Sequence, residues 1–316
     1  MQFNRHRKEI RKPRSFLVLI AALWSSGCSV NRFAVNILGD AWAGGGSVYA
    51  TDNDPELIRE ALPFGLKTFE SLLRISPDHE GLLLAASRGF TGYAFMLQQE
   101  TECGDNLDGE QRRERLIRIR NLFLRGRDYA LRGLAARHLD FVHRLRQNPI
   151  PALAATSITD APFLYWAGVA LGGAISSSKG DLNLLADLPV TGALVRRVLE
   201  LDESHDHGAA HEFFIAYEAN RPGGSTEQAR KHYRRALELS GGQRASVHLA
   251  LAEAVSVKQQ DLAEFRDLLA RAMAVRVERY PEFRLVNALA RQRAYWLEKH
   301  TEEFFIDAPS PKEFIR

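Results

Sequence analysis

Apolar residues recur at three- and four-residue intervals along most of this chain. Between 55 and 75, Leu57, Ile58, Ala61, Leu62, Leu66, Phe69, Leu72 and Leu73 fall on one helical face. Asp54-Pro55-Glu56 ahead of them fits a cap and a first turn. SPDH (76–79) interrupts the pattern, and 80–99 resumes it with Leu83, Leu84, Phe90, Tyr93, Ala94 and Leu97. CGDNLDG (103–109) reads as a loop. After it, 110–135 is an arginine-rich helix with Leu116, Ile119, Leu122, Phe123, Tyr129 and Leu134 inside, continued by 138–147. NPIPALAATSITDAP (148–162) reads as irregular. Further helices are predicted at 162–177, 187–201, 207–220, 225–239, 243–258, 260–279 and 282–300. No stretch alternates apolar and polar residues as a sheet strand would, so the predicted fold class is all-α.

The helices come in pairs that echo one another. RRVLELD (196–202) returns as RRALELS (234–240), and Ala229 and Ala236 recur, 34 positions on, as Ala263 and Ala270. Ala229, Tyr233 and Ala236 have the spacing of the second helix of a tetratricopeptide (TPR) hairpin: small residues let the paired helix approach and the aromatic fills the gap. The first helix would then be 207–220, with Phe213 near the usual tryptophan position and Tyr217 where a small residue is usual. The expectation is antiparallel helical hairpins forming a TPR-like superhelix, an α-solenoid, over a single domain at 54–305, with a tail at 306–316. A plain antiparallel bundle of alanine-rich helices is the alternative.

Charge changes the picture at the N-terminus. The formal balance is +3, but Arg5, Arg7, Lys8, Arg11, Lys12 and Arg14 precede residue 27 against Glu9 alone, so the remainder is slightly acidic. Nothing there presents the clustered basic face that nucleic acid requires. The apolar run Phe16 to Trp24 is far short of the ~20 residues of a membrane span. With its basic lead and the small residues Ser25-Ser26-Gly27, it reads as a secretory signal over 1–27. Cys28 follows directly. SSGC resembles the bacterial lipoprotein box, with Ser25 in place of the usual leucine, so Cys28 is the expected lipidation site and 28–53 a lipidated tether. Without lipid, Cys28 and Cys103 would be free to pair in an oxidising compartment. Ser29, in place of an aspartate, points to the outer membrane.

Candidate chemistry is sparse. In HDHGAAHE, His207 and His211 would share a helix face, as two zinc ligands could, with His205 and Glu212 nearby. No HExxH or comparable pattern completes a site, and no metal or cofactor is expected. FLYWAGVALGGAISS (163–177) sets Tyr165 and Trp166 beside Gly168, Gly172 and Gly173. Such a helix either packs tightly or lines an apolar groove. Phe90, Tyr93, Tyr165, Trp166, Phe213 and Tyr217 are the groove-lining candidates. The arginine run 112–127 reads as a solvated face or a dock for an acidic partner. GxSxG, P-loop and dinucleotide patterns are absent from the sequence, and an enzyme is not expected.

RPGGSTEQARKHYRRALELSGG (221–242) resembles the Pro-x-Gly-Gly and Ala-x-x-His segment of the TatT family, periplasmic lipoproteins associated with tripartite ATP-independent periplasmic (TRAP) transporters. LYWAGVALGGAI (164–175), RRVLELDESHDHGAAHEFFIAYEANRP (196–222), FRDLLARAM (265–273) and LVNALARQRAYWLEKHTEEFF (285–305) keep the family's order, and AASRGFTGYAFM (85–96) fits its early helix. The resemblance spans about 55–305. It implies a lipid-anchored homotrimer of degenerate TPR hairpins with a hydrophobic cleft or pore, associated with the transporter's solute-binding protein. The implied role is to present or relay a small hydrophobic or organic-acid ligand without transforming it, on a periplasmic membrane leaflet. His211 falls at a family position within a hairpin, which weakens its reading as a metal ligand. A lipoprotein scaffold for envelope protein assembly is the alternative function.

Overall fold

The computed structural model describes residues 46–104, 107–178 and 180–306. Cys28 and the signal segment lie outside the described residues. Among those described there are helices and turns and no strand. The chain is all-α.

The helices begin where local chemistry satisfies their first amides. After a short α1 (Gly46–Ala50), α2 (Pro55–Ile75) is capped by the Asp54 carboxylate, which accepts from the amides of Glu56 and Leu57. α3 (Glu80–Cys103) is followed by α4 (Gly109–Arg137), whose Asp108 and Gln111 form a reciprocal capping box. Next come α5 (Phe141–Gln147), α6 (Pro149–Ala154), α7 (Ala161–Ser176), α8 (Leu182–Ala186) and α9 (Leu188–Leu201). α10 (Ala209–Asn220), α11 (Thr226–Leu239), α12 (Ala245–Leu251), α13 (Leu262–Ala274) and α14 (Arg284–Lys299) complete the set.

Three differences from the sequence pattern have physical causes. The stretch 148–162, expected to be irregular, holds α6 and a 3-10 turn, because Pro149 suits a first helical turn that has no use for its amide. The helix expected over 260–279 stops at Ala274: Val275 turns extended, and Val275 and Val277 both bury their side chains. α1 forms inside the segment expected to be tether, and its Tyr49 rests against Gly65 of α2.

Packing follows chain order. α3 packs on α4, α4 on α7, α7 on α9, α10 on α11, α12 on α13, and α13 on α14. A second set of contacts joins alternate helices: α3 to α7, α10 to α12, and α12 to α14. α14 then returns to α1, α2 and α3, so the wall of helices closes on itself. At that seam the Gln99 side-chain amide donates to the Leu289 carbonyl at 2.9 Å. Arg293 of α14 meets Glu102 at 3.2 Å and Cys103 at 3.3 Å, both on α3. Two apolar clusters fill the wall, one reaching from Ile58 to Phe214 and the other from Ile215 to Phe305. α7 is apolar on most sides because α4, α3 and α9 all pack on it. With the 3-10 turn before it, the helical stretch 158–176 is long and apolar enough to cross a membrane, yet half of it is buried in this fold.

Candidate ligand-binding site

Residues at i, i+3 and i+4 spacing on α3 form a stripe that stays partly or fully exposed. Ala85, Arg88, Gly92, Phe95 and Gln99 share it, while Leu82, Leu83, Ala86, Phe90, Tyr93 and Leu97 are buried against neighbours. A methyl group added at Gly92 would meet nothing within 4 Å, and Phe95 leaves 54% of its surface exposed. Arg88 is solvent-accessible and, among the described residues, makes no hydrogen bond or ion pair. Protein nonetheless surrounds it closely enough that desolvation lowers its pKa, with Asp206 opposing the shift.

The turn between α9 and α10 lies within electrostatic reach of Arg88. Asp206, His207 and Gly208 adopt three consecutive left-handed conformations, with φ of 45°, 56° and 83°. Two of the three are not glycine, so the turn stores backbone strain. Arg244, just before α12, holds it in place. Its guanidinium donates to the Asp206 carbonyl at 2.7 Å and to the Asp206 carboxylate at 2.9 Å. It also meets Glu212 of α10 at 3.2 Å and lies over the Phe283 ring at 5.3 Å, against which His207 packs edge-on at 4.9 Å.

α7 contributes the aromatic part. Tyr165 sits edge-to-face with Trp166 at 5.4 Å and beside His205 at 5.7 Å. Both side chains are half-buried. Burial pushes the Tyr165 hydroxyl well above its ordinary pKa, Arg244 pulls it back, and Asp206 and Glu212 add to the rise. Burial also lowers the His205 pKa, Asp206 resists, and Arg88 lowers it further, which favours a neutral imidazole. Arg88, Tyr165, His205, Asp206 and Arg244 therefore share one electrostatic neighbourhood, built from α3, α7, the 205–208 turn and the start of α12.

The groove candidates separate into three places. Tyr165 and Trp166 join this neighbourhood. Phe90 and Tyr93 are 2% and 8% exposed and face α4: Phe90 stacks on Tyr129 at 5.6 Å, and the Tyr93 hydroxyl accepts from Arg118 at 3.4 Å. Phe213 and Tyr217 stack on each other at 5.6 Å, with Phe213 against Gly172 and Tyr217 over Gly192, which plugs the junction of α7, α9 and α10. His207 and His211 diverge. His211 meets His232 at 2.8 Å through its Nδ1 and Glu203 at 3.1 Å through its Nε2. Among the described residues no cluster of histidine, cysteine and carboxylates is placed to hold a metal. The sequence reading missed Arg88, Asp206 and Arg244. Arg88 alone carried a signal, a charge set among the small residues of AASRG.

Fold and site together define an all-helical protein, over its described residues, whose last helix packs back on its first described ones and whose α7 carries an aromatic pair beside the charged 205–208 turn. The chain belongs to the TRAP transporter T-component family, whose model matches residues 51–305. It is also 26% identical over 309 residues to an uncharacterized protein of Treponema pallidum (strain Nichols), covering 91% of this chain and 96% of that one. The T-component assignment makes it an accessory part of a TRAP transport system.

Proposed function

We propose that the protein is a lipid-anchored periplasmic accessory of a TRAP transporter that holds a small amphipathic ligand and passes it to or from the system's solute-binding protein. The family match over 51–305 carries this reading. The open stripe of α3 and the aromatic pair on α7 support the reading as a surface for a ligand. Packing in chain order supports a TPR-like solenoid, since stacked hairpins touch their sequence neighbours. Assembly as a homotrimer and anchoring at the outer membrane through Cys28 complete the proposal.

Two experiments test it. Replacing Cys28 by serine should move the protein from the membrane to the soluble fraction on cell fractionation; continued membrane association would remove the lipid anchor from the account. Affinity capture of the mature protein from membranes, followed by mass spectrometry, should recover a TRAP solute-binding protein or its membrane subunits. Recovery of envelope-assembly factors with no transporter protein would replace the transport reading with a scaffolding one.

A further inference from the structure

We infer that the segment carrying α5 and α6 is a second contact with the membrane. Leu139, Ile150 and Ile158 enter the interface of an anionic phospholipid surface, and Arg144 and Arg146 meet its phosphates. The inference goes beyond the lipid anchor proposed above and takes from that reading only the placement of the protein at a membrane.

The chain between α4 and α7 is held as one small unit. His138 Nε2 lies 3.0 Å from the Asp160 carboxylate. The Arg137 guanidinium donates to that carboxylate at 3.0 Å and to the Thr159 carbonyl at 2.8 Å. These bonds pin the two ends of the 138–160 segment together. α5 leaves this base and runs for 7 residues, about 10 Å. α6 starts directly after Asn148, whose amide donates to the Arg144 carbonyl at 2.8 Å, and packs back on α5. Phe141 and Leu145 of α5 and Ala152 and Leu153 of α6 are buried, so they form the inner face of the unit.

Three large aliphatic side chains stand nearly bare on its outside: Leu139 is 83% exposed, Ile150 80% and Ile158 59%. Leu139 follows His138 and Ile158 precedes Thr159, so both sit at the pinned base, and Ile150 lies one short helix away. Single exposed aliphatics are ordinary on a protein surface, but three on one unit about 10 Å long form an apolar patch. Charge selects what covers it. Arg144 and Arg146 lie between Leu139 and Ile150 in the chain, are exposed, and make no side-chain hydrogen bond or ion pair among the described residues. Asp140 is the one acidic residue from 138 to 159. Asp160 and Glu80, at the base, are committed to Arg137, Glu80 at 2.8 Å. Aliphatic side chains flanking free guanidinium groups suit a lipid interface, where an apolar acyl boundary lies directly beneath anionic phosphates. The anchor leaves room for this contact. Segment 28–45 has 18 residues and reaches at most about 60 Å when extended. That exceeds the length of α2, about 30 Å, at whose far end the Pro77 carbonyl accepts from Arg132 of α4 at 2.8 Å.

The test is co-sedimentation of the mature chain carrying Cys28→Ser, which has no lipid, with excess vesicles. One set is phosphatidylcholine alone, the other equal parts phosphatidylcholine and phosphatidylglycerol. Three side chains bind weakly and reversibly beside an acyl anchor, so this protein still fractionates as soluble in cells while excess vesicles capture it. It should bind the anionic vesicles at least tenfold more tightly than the neutral ones, and added salt should shrink that preference. The triple variant Leu139→Glu, Ile150→Glu, Ile158→Glu should weaken binding at least tenfold. The double variant Arg144→Gln, Arg146→Gln should lose the preference for anionic vesicles. All five side chains are exposed, circular dichroism checks that each variant is folded, and the double variant stands as evidence even if the triple one is unstable. Equal binding by the triple variant and its parent overturns the inference, and so does equal binding of the parent to both vesicles. Sedimentation velocity without vesicles adds a further check: an oligomer of the parent that the triple variant breaks would assign the patch to contact between copies and overturn the membrane contact. Release of Cys28→Ser from membranes in cells with no capture by either vesicle sinks the second contact and leaves the lipid anchor standing.

Discussion

Small residues set how closely this wall can be packed. Gly133 of α4 faces the Phe163 ring of α7 so closely that a methyl group there would overlap it, and Gly173 of α7 bears the same relation to Phe123 of α4. Reciprocal ring-on-glycine contacts lock the two helices in register. Gly133→Ala should therefore cost about 1–3 kcal/mol, the usual penalty of overpacking a filled core. Urea denaturation followed by circular dichroism reads it directly, and a midpoint equal to wild type would show that the ring moves aside freely. At this scale the sequence was only partly legible. Glycines in FLYWAGVALGGAISS announced close packing, but which ring each would meet depends on partners such as Phe123 and Phe213, far away in the chain. The paired arginine–carboxylate groups around Asp206 were invisible for the same reason: Arg244 lies 38 residues from the carboxylate it holds.

Helices, by contrast, were largely written in the local pattern. The apolar stripe and caps placed α2 at 55–75, as observed, because Asp54 and Pro55 mark the start and Ser76-Pro77 the end. α1, α6 and α8 escaped because five or six residues make too few turns for a helical period to show. α12 adds a feature no periodicity reveals, a π-helical segment over Ala252–Ser256 that carries the helix on to Gln259. His248 sits on this element, 7% exposed, with its Nδ1 3.0 Å from the Tyr233 hydroxyl of α11. Burial, aided by Arg271, holds its pKa down to about 4, against an ordinary 6.5. Above pH 6.5 the ring is neutral in both the folded and unfolded chains, and the fold has its full stability. As pH falls from 6.5 toward 4 the unfolded chain takes up a proton that the folded one refuses, so stability declines by up to about 3 kcal/mol. His232, also held near 4 by burial and by His211, acts in the same direction. His248→Gln should flatten this part of the pH–stability curve, as measured by thermal unfolding at several pH values. An unchanged slope between pH 6.5 and 4 would show that His248 does not govern it.

Closure of the wall belongs to the whole molecule. Among the described residues α14 is the last α-helix yet packs on α1, α2 and α3, the first ones, and Gln99 reaches a carbonyl 190 residues away. Nothing in a local window encodes such a contact, so the sequence supported hairpins but could not tell an open superhelix from a ring. Arg293 shows how the seam is held: besides Glu102 and Cys103 of α3 it takes Glu253 at 2.6 Å and lies over Trp296 at 5.0 Å. Closing the seam brings α14 against α3, the helix whose open Gly92–Phe95 stripe the proposed function reads, with the aromatic pair of α7, as a ligand-binding face. The claim that a ligand sits on that face is tested most directly by energy transfer from tryptophan to a dansyl-labelled undecanoate. The account predicts saturable binding with transfer from Trp166, and a loss of more than half of that transfer in Trp166→Phe while binding persists. Saturable binding with transfer unchanged in Trp166→Phe would place the ligand elsewhere and contradict it.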